Sequence, residues 1–186
     1  MNLSTTPIVW ITAAESYFLR AEGALRGWNM GGTAGQFYND GIAASFVENG
    51  LQSGDAATYA ANTTLSPIDF TDNSGQSGNN ITAPSTITIA WNDADDFATN
   101  LERIITQKWI ALYPDGPEGW AEYRRTGFPK LFPPVSNQSN GTIIDQVRRI
   151  PYPQSEYNNN RTGVQSGISH LGGPDGGGFP LWWDKN

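Results

Sequence analysis

The sequence predicts a mainly α-helical fold with long irregular loops between the helices. Two stretches among the first fifty residues carry apolar side chains at spacings of three and four, the period of an amphipathic helix. A third stretch with this period begins near Asp93 and continues to about Tyr113. Residues that start and stop helices flank all of these stretches. We therefore expect at least two antiparallel helix pairs, over residues 12–49 and 93–125.

The first helix is expected to begin at Thr12, because Glu15 follows three residues later, as in a capping box. Its apolar stripe continues to Trp28, and a glycine-rich turn follows at residues 29–32. Several alanines and one glycine lie within the helix. These small residues would let a neighbouring helix approach closely.

The second helix is expected over about residues 34–49, with Gly50 as its C-terminal cap. Two helices of this length joined by a short glycine turn form an αα-hairpin. The spacing of tyrosine, alanine and glycine resembles a tetratricopeptide unit, which repeats about every 34 residues. A plain antiparallel helix pair is the alternative interpretation.

The middle of the chain is less regular. A short helix is expected at residues 55–61. Residues 62–84 are rich in threonine, asparagine, serine and glycine, which predicts a long loop with one extended piece at residues 68–70. Residues 85–90 alternate as a short strand would.

The third main helix should begin at Asp93 or Asp95, since acidic side chains favour the positive end of a helix. Pro114 ends it, and Pro117 suits the first turn of a short helix over residues 118–125. These two helices would form the second helical pair.

The last third of the chain, beyond Gly127, carries many prolines and a glycine-rich stretch at residues 172–178. This composition predicts long irregular surface segments rather than a separate domain. The two tryptophans near its end need an anchor, because exposed apolar patches favour aggregation.

Composition excludes several classes of protein. The 186 residues carry a formal net charge of −7, which argues against a nucleic-acid partner, since such partners require a basic face. Charged residues make up only 16% of the chain, against roughly 25% in typical domains. Cysteine is absent, so the chain has no disulfide, no cysteine-based zinc site and no thiol nucleophile.

No catalytic or metal-binding arrangement stands out. His170 is the only histidine, and no G-x-S-x-G motif accompanies it. The acidic pairs Asp95/Asp96 and Glu118/Glu122 are explained by helix ends and solvated faces. The alternating acids of residues 92–95 lack the glycine and distal glutamate of an EF-hand loop. The glycine-rich stretches match no phosphate-binding loop. We therefore expect no enzyme, no cofactor and no metal site.

The aromatic residues are the remaining candidates for binding. Aromatic rings stack on the apolar faces of sugars, and the chain has 7 Trp, 7 Tyr and 8 Phe. Three tryptophans on helical stripes are expected to fill the core: Trp28, Trp109 and Trp120. Four aromatic residues in irregular regions are candidates for ligand contact, with packing as the alternative: Tyr152, Tyr157, Trp182 and Trp183.

One block of sequence carries a family resemblance. Residues 105–129 read ITQKWIALYPDGPEGWAEYRRTGFP, and an R-x-x-Y-P-x-x-E-x-x-x-N pattern follows from Arg149 to Asn160. Together they resemble the SusD/RagB family. The positions that match as fold signatures are Gln107, Trp109, Trp120, Arg124, Arg125, Tyr152 and Glu156. The two arginines are expected to pair with a carboxylate or with backbone carbonyls, with Glu156, Glu118 and Asp115 as candidate partners. Binding of an anionic ligand is the alternative.

The resemblance implies tetratricopeptide-like helical hairpins of the α-α superhelix type, with long inserted loops. It also implies a lipoprotein on the extracellular face of the outer membrane that lids a SusC-like, TonB-dependent transporter. The first residues show neither a signal peptide nor a cysteine for lipidation. We therefore interpret residues 1–186 as a single C-terminal domain, part of a longer chain whose lipid anchor lies elsewhere.

Capture of an oligosaccharide without hydrolysis is the first functional expectation from the resemblance. The alternatives are peptide capture and a helical scaffold that docks on the transporter without a ligand site of its own. In starch-binding relatives the aromatic platform lies largely upstream, so this region is expected to hold little of that site. The ligand itself, any bound calcium and the oligomeric state stay open.

Overall fold

A computed structural model of the chain describes residues 9–135 and 145–184. Within these residues there is no β-strand, and one isolated antiparallel bridge joins Phe70 to Ile81. The predicted mainly α fold is thereby confirmed. The helices are α1 (Ala13–Leu25), α2 (Ala34–Glu48), α3 (Ser53–Ala60), α4 (Phe97–Ala111), α5 (Gly116–Thr126), α6 (Gln154–Asn159) and α7 (Arg161–Leu171), and a 3-10 turn lies at Ser77–Asn79.

The chain forms two compact units, each described here by itself. The first contains the described residues up to Pro67 together with Ser85–Trp120, and the second contains Ile68–Pro84 together with the described residues from Ala121 onward. No helix among the described ranges combines the length and the apolar character that crossing a membrane requires.

The first unit is built on the hairpin of α1 and α2, the predicted tetratricopeptide-like pair. Threonine hydroxyls cap both helices: Thr12 Oγ1 accepts from the Glu15 N–H at 3.1 Å, and Thr33 Oγ1 accepts from the Gln36 N–H at 3.2 Å. The two helices approach closely at Gly41, where an added Cβ would lie 2.9 Å from the Phe18 ring. The glycine at this contact belongs to α2, whereas the sequence analysis expected small residues of α1 to allow the close approach.

Helix α4 packs against both α1 and α2 and completes the core of this unit with Ile104 and Ile105. Its N-cap is Asp96, which accepts from the Thr99 N–H at 2.7 Å, so the expected start at Asp93 or Asp95 is corrected. The contacts of α4 with the beginning of α5 are made by side chains. Lys108 Nζ lies 3.4 Å from Glu118 Oε1, and a Cβ added at Gly119 would lie 3.2 Å from the Trp109 ring. The antiparallel pairing of these two helices stays a prediction.

The segment at residues 85–90 is irregular, so the predicted short strand is wrong. The alternation of buried and exposed residues in this segment arises from contacts with helices on one side, rather than from pairing with another strand. The Tyr38 hydroxyl donates to the Ile89 carbonyl at 2.6 Å, and the Ser85 hydroxyl bonds to the Glu102 carboxylate. Buried side chains of helices thus take the place of a partner strand.

Two helices of the second unit, α6 and α7, were missed in a region predicted to be irregular. They pack against each other, and Val164 is the buried apolar residue of α7. Glycines at two positions of α7 lower its intrinsic helix propensity. Tertiary contacts override this weak signal, because the Tyr152 ring occupies the space beside Gly167.

The tryptophans depart from the expected core. Trp109 is 42% exposed and Trp28 is 64% exposed, so the prediction that they fill the core is wrong. Trp120 is half-buried rather than buried. The core consists of smaller rings and aliphatic side chains, including Phe18, Tyr38 and those of α4. The spacing of apolar residues therefore predicted which face of each helix is buried, but it did not predict which large side chains on that face are buried.

Candidate functional site

The predicted ligand residues lie in the second unit, around a segment that the glycine-rich stretch holds in place. The backbone N–H groups of Arg148 and Arg149 both donate to the Gly177 carbonyl, at 2.7 and 3.1 Å. Gly177 and its neighbour Gly176 are buried, so the two chain segments lie against each other without intervening side chains. This arrangement fixes the start of the R-x-x-Y-P pattern.

Asp175 is the centre of the first group of contacts, which we call the Asp175 cluster (Asp175, Arg149, Tyr152 and Tyr157). Its carboxylate pairs with the Arg149 guanidinium, and both side chains are buried. The carboxylate also accepts from the Tyr152 N–H at 2.9 Å and from the Tyr157 hydroxyl at 2.8 Å. One carboxylate thereby fixes a cation, a backbone group and a phenol.

These contacts shift the ionisation of the cluster. Burial acts to raise the pKa of Asp175, but the hydrogen bonds from Arg149, Tyr157 and Tyr152 outweigh it and lower the pKa. The hydrogen bond to Asp175 raises the pKa of Tyr157 because it favours the protonated phenol. Both effects keep the cluster in the state of a carboxylate and a neutral phenol.

The two predicted tyrosines are therefore brought together, and the contacts that hold them are internal. The Arg149 guanidinium lies 5.1 Å from the centroid of the Tyr152 ring, and the Tyr152 hydroxyl lies against Gly167 of α7. The Tyr157 hydroxyl donates its hydrogen bond to the Asp175 carboxylate. Contact of either ring with a ligand stays a prediction.

A second group, the Trp183 cluster (Trp183, Arg124, Arg148 and Asp184), holds the third predicted aromatic residue. The Arg124 guanidinium carbon lies 4.8 Å from the Trp183 ring centroid, a cation–π contact, and its Nη1 donates to the Arg148 carbonyl at 3.3 Å. Arg148 pairs with the buried Asp184 at 2.9 Å. Burial lowers the pKa of Arg124.

Trp182 is the predicted ligand residue with an open ring, at 84% exposure. Its neighbour Trp183 is half-buried in the Trp183 cluster, so adjacent residues have opposite environments. Among the four candidates, Trp182 is thus the one whose ring faces are accessible for stacking.

The remaining signature residues are held by local contacts. Arg125 Nη2 donates to Glu122 Oε2 at 2.6 Å, and Glu156 Oε2 accepts from Asn160 Nδ2 at 3.2 Å within the same short segment. Glu118, a candidate partner for the arginines, pairs with Lys108 at 3.4 Å. Sequence position alone did not reveal these partners.

Lys108 is a buried charge that the sequence analysis did not single out. It is 1% exposed and lies 3.6 Å from Glu15 and 3.4 Å from Glu118. Burial raises the pKa of Glu15, while the nearby Lys108 opposes the shift. The sequence could have indicated this buried charge, because Lys108 lies between Gln107 and Trp109 on an apolar helix face. A charged residue on such a face needs a partner.

The first unit also carries several grooves, of which two bear on binding. A larger one of about 880 Å³ lies between the start of α1 and the end of α4, with exposed Trp10 and Tyr113 and the carboxylates of Glu15, Glu48 and Asp115. A smaller one of about 310 Å³ is lined mainly by aliphatic residues, with Gln107 and Arg103 among its polar side chains. No periodic pattern predicts either groove, since their walls come from distant segments.

The described contacts of His170 lie within α7. Its Nδ1 lies 2.7 Å from the Ser166 carbonyl, one turn earlier in α7, and 3.5 Å from the Ser169 hydroxyl. In the described ranges, no three acidic or histidine side chains are grouped to hold a metal ion. Asn92 and Asp95 instead bond to each other at 2.8 Å in the turn before α4.

Comparisons with known proteins agree with this architecture. The family model described as SusD-like, "Susd and RagB outer membrane lipoprotein", matches residues 1–184. A search of curated proteins found no match.

Solved structures match over nearly the whole chain. A chitin-binding SusD homolog from Flavobacterium johnsoniae has 51% identity and a TM-score of 0.84, covering 94% of this chain and 36% of its own. A SusD-like protein from Bacteroides thetaiotaomicron has 46% identity and a TM-score of 0.86, covering 98% and 38%. A SusD homolog from Bacteroides uniformis has 42% identity and a TM-score of 0.86, covering 100% and 39%. The chain thus spans well under half the length of these structures.

Proposed function

The chain belongs to the SusD-like family of outer-membrane lipoproteins, and from this premise we propose that its parent protein captures a glycan without cleaving it. By the parent protein we mean the family member that contains these 186 residues. The observation that carries the proposal is the 51% identity, over 94% of the chain, with a protein described as chitin-binding. Chitin or a related β-linked glycan is therefore the first ligand to test.

A binding role without turnover is consistent with the chemistry of the described residues. Glycosidases generally need two carboxyl groups facing each other across a sugar-binding cleft. Here the carboxylate of Asp175 is committed to Arg149 and two tyrosine groups, and that of Asp184 to Arg148. Both carboxylates serve packing within the unit, which supports a binding role.

We further propose that the parent protein is lipid-anchored at the outer face of the outer membrane and docks on a TonB-dependent, SusC-like transporter. The family description as an outer-membrane lipoprotein supports the location. Capture would then concentrate the glycan at the entrance of its transport route.

A docking scaffold without a ligand site is the second candidate. The observation that favours it is the larger groove, where exposed Trp10 and Tyr113 stand beside three carboxylates. Exposed aromatic surface of this kind is typical of protein contact sites.

A glycan array probed with the parent protein separates the two candidates. Glycan capture predicts binding to a β-linked oligosaccharide such as chitohexaose, whereas a pure scaffold binds no sugar. Purification of the parent from outer membranes, with the transporter identified by mass spectrometry in the same complex, tests the partner. A parent that binds no glycan on the array would refute glycan capture.

A further inference from the structure

The smaller groove of the first unit, the Gln107 groove, is the feature that neither the family signature nor the predicted aromatic residues explain. It encloses about 310 Å³, near the lower end of typical small-molecule pockets. Aliphatic side chains form most of its wall: Leu65, Pro67, Ile87, Ile89 and Ile110.

Gln107 brings a polar group to this apolar wall. The residue is 8% exposed, and its Oε1 accepts from the Tyr59 hydroxyl at 3.2 Å. Across residues 9–135 and 145–184, no hydrogen-bond partner is present for its Nε2 group. Nε2 is not among the fully buried polar atoms without a partner, so it reaches accessible space where a ligand or water can accept from it. The groove therefore offers one fixed N–H donor.

The groove offers no uncommitted charge. Among the described residues that line it, Arg103 is the charged one, and each of its three nitrogen atoms donates a hydrogen bond. Nε donates to the Thr88 carbonyl at 3.1 Å, Nη1 to Asn100 Oδ1 at 2.6 Å and Nη2 to Asp95 Oδ2 at 2.9 Å. A neutral ligand fits this environment, since a charged one would lose its hydration without gaining a counter-ion.

Two hydroxyl groups add hydrogen-bond acceptors to the wall of the Gln107 groove. Thr106 and Ser66 lie in the lining, and a hydroxyl accepts as well as donates. The groove thus combines an apolar surface, one amide donor and nearby acceptors. An N-substituted acetamide presents the complementary groups: an apolar methyl group, a carbonyl acceptor and an N–H donor.

We propose that the Gln107 groove binds the acetamido group of an N-acetylated amino sugar. The methyl group packs against Ile87, Ile89 and Ile110, the acetamido carbonyl accepts from Gln107 Nε2, and its N–H donates to the Thr106 hydroxyl. The sugar ring then lies at the open side of the groove. This proposal rests on the glycan capture proposed above and names its substrate class.

Saturation-transfer NMR on the 186-residue chain tests the proposal, because the method detects weak binding. The probes are N,N′-diacetylchitobiose and cellobiose, which share the same linkage and differ in the acetamido group. We expect the acetamido methyl protons to receive the strongest saturation and cellobiose to give at least fivefold less signal.

Two variants sharpen the test. Gln107→Glu keeps the oxygen that accepts from Tyr59 but removes the amide donor, so we expect affinity for the chitobiose probe to fall roughly fivefold or more, the effect of losing one hydrogen bond. Ser66→Trp fills the groove from an exposed loop position and should abolish the methyl saturation. Thr63→Trp in the same loop lies outside the lining and should leave binding unchanged.

Equal saturation of both disaccharides, or unchanged binding by Gln107→Glu and Ser66→Trp, overturns the acetamido site. Glycan capture by the parent would survive either result, because the array tests it separately. No signal from either probe also overturns the site. Binding of the parent to glycans that lack acetamido groups, with none to chitohexaose, overturns it as well.

Discussion

At the scale of single residues, Asp175 organises the second unit. Its carboxylate accepts hydrogen bonds from Arg149, from the Tyr152 backbone and from the Tyr157 hydroxyl. The Arg149–Asp175 pair is buried, and a buried pair becomes costly when one partner is removed because the other charge is left without compensation. The tyrosines predicted to contact ligand thus depend on Asp175 for their positions.

Asp175→Asn should destabilise the second unit by roughly 3–5 kcal/mol, since it leaves the buried guanidinium of Arg149 unpaired. Urea unfolding followed by tyrosine and tryptophan fluorescence measures the change. Asp72→Asn is the matched control, because Asp72 also accepts two hydrogen bonds but lies in a mainly exposed loop, and it should cost less than about 1 kcal/mol. Equal losses in the two variants would contradict the role of the Asp175 cluster.

Asp175 also makes the free energy of unfolding depend on pH. The folded pKa of Asp175 lies below its ordinary value of 3.8, so protonation favours the unfolded chain. Its contribution is complete above that ordinary value and is lost as the pH falls through the lower, folded pKa. Glu15 has the opposite sign, because burial raises its pKa and its ionisation therefore opposes folding.

We expect the stability difference between the wild type and Asp175→Asn to shrink as the pH falls from roughly 6 to 2. Urea unfolding of both proteins across that pH range measures it. A difference that stays constant down to pH 2 would show that the folded and unfolded chains bind the Asp175 proton equally, so that folding does not lower its pKa.

The sequence located part of this cluster. Tyr152 and Tyr157 were identified as aromatic residues in a region predicted to be irregular, and Tyr152 also belongs to the R-x-x-Y-P pattern. Asp175 was missed, since it lies 26 residues from Arg149 within a glycine-rich stretch that carries no periodic signal. Gln107 was recognised as a signature residue, but its groove is formed by segments that only the fold brings together.

At the scale of secondary-structure elements, the close contact of α1 and α2 determines the core of the first unit. Gly41 allows it, because the Phe18 ring occupies the space where a side chain would begin. Phe18 itself is buried and cannot move aside without disturbing Tyr38, whose ring centroid lies 6.2 Å away. Glycine therefore serves packing here at the expense of helix propensity.

Gly41→Ala should destabilise the protein by about 1 kcal/mol, because a clash of roughly 1–3 kcal/mol exceeds the gain in helix propensity of about 1 kcal/mol. Gly54→Ala on the exposed side of α3 is the control, since no atom lies within 4 Å of its added Cβ. The control should be neutral or stabilising. If chemical denaturation shows Gly41→Ala to be as stable as the control, the helices pack less closely than described.

Helices with clear periodicity and caps were predictable, and α1, α2 and α4 agree with the expectation within a few residues. Helix α7 was not predictable, because two glycines and several polar residues mask it and only Val164 is buried. The segment at residues 85–90 shows the converse error, since its alternation reflects contacts with helices rather than strand pairing. Local patterns fail where distant contacts decide the conformation.

At the scale of the whole molecule, the chain is a helical scaffold whose loops and grooves carry the candidate binding features. The four predicted aromatic residues divide into three held by the two clusters and one, Trp182, with an open ring. The Gln107 groove supplies a separate neutral pocket in the first unit. Non-catalytic capture of a glycan by the parent protein is the function that we propose for this scaffold.

Isothermal titration calorimetry of the parent protein with chitohexaose, followed by chromatography of the sugar, tests this central claim most directly. We expect saturable binding by the parent, intact chitohexaose after prolonged incubation, and weaker binding by the 186-residue chain alone, because a partial site loses preorganised contacts. Absence of heat with chitohexaose and with every glycan selected on the array, or shortened sugar products, would contradict glycan capture without cleavage.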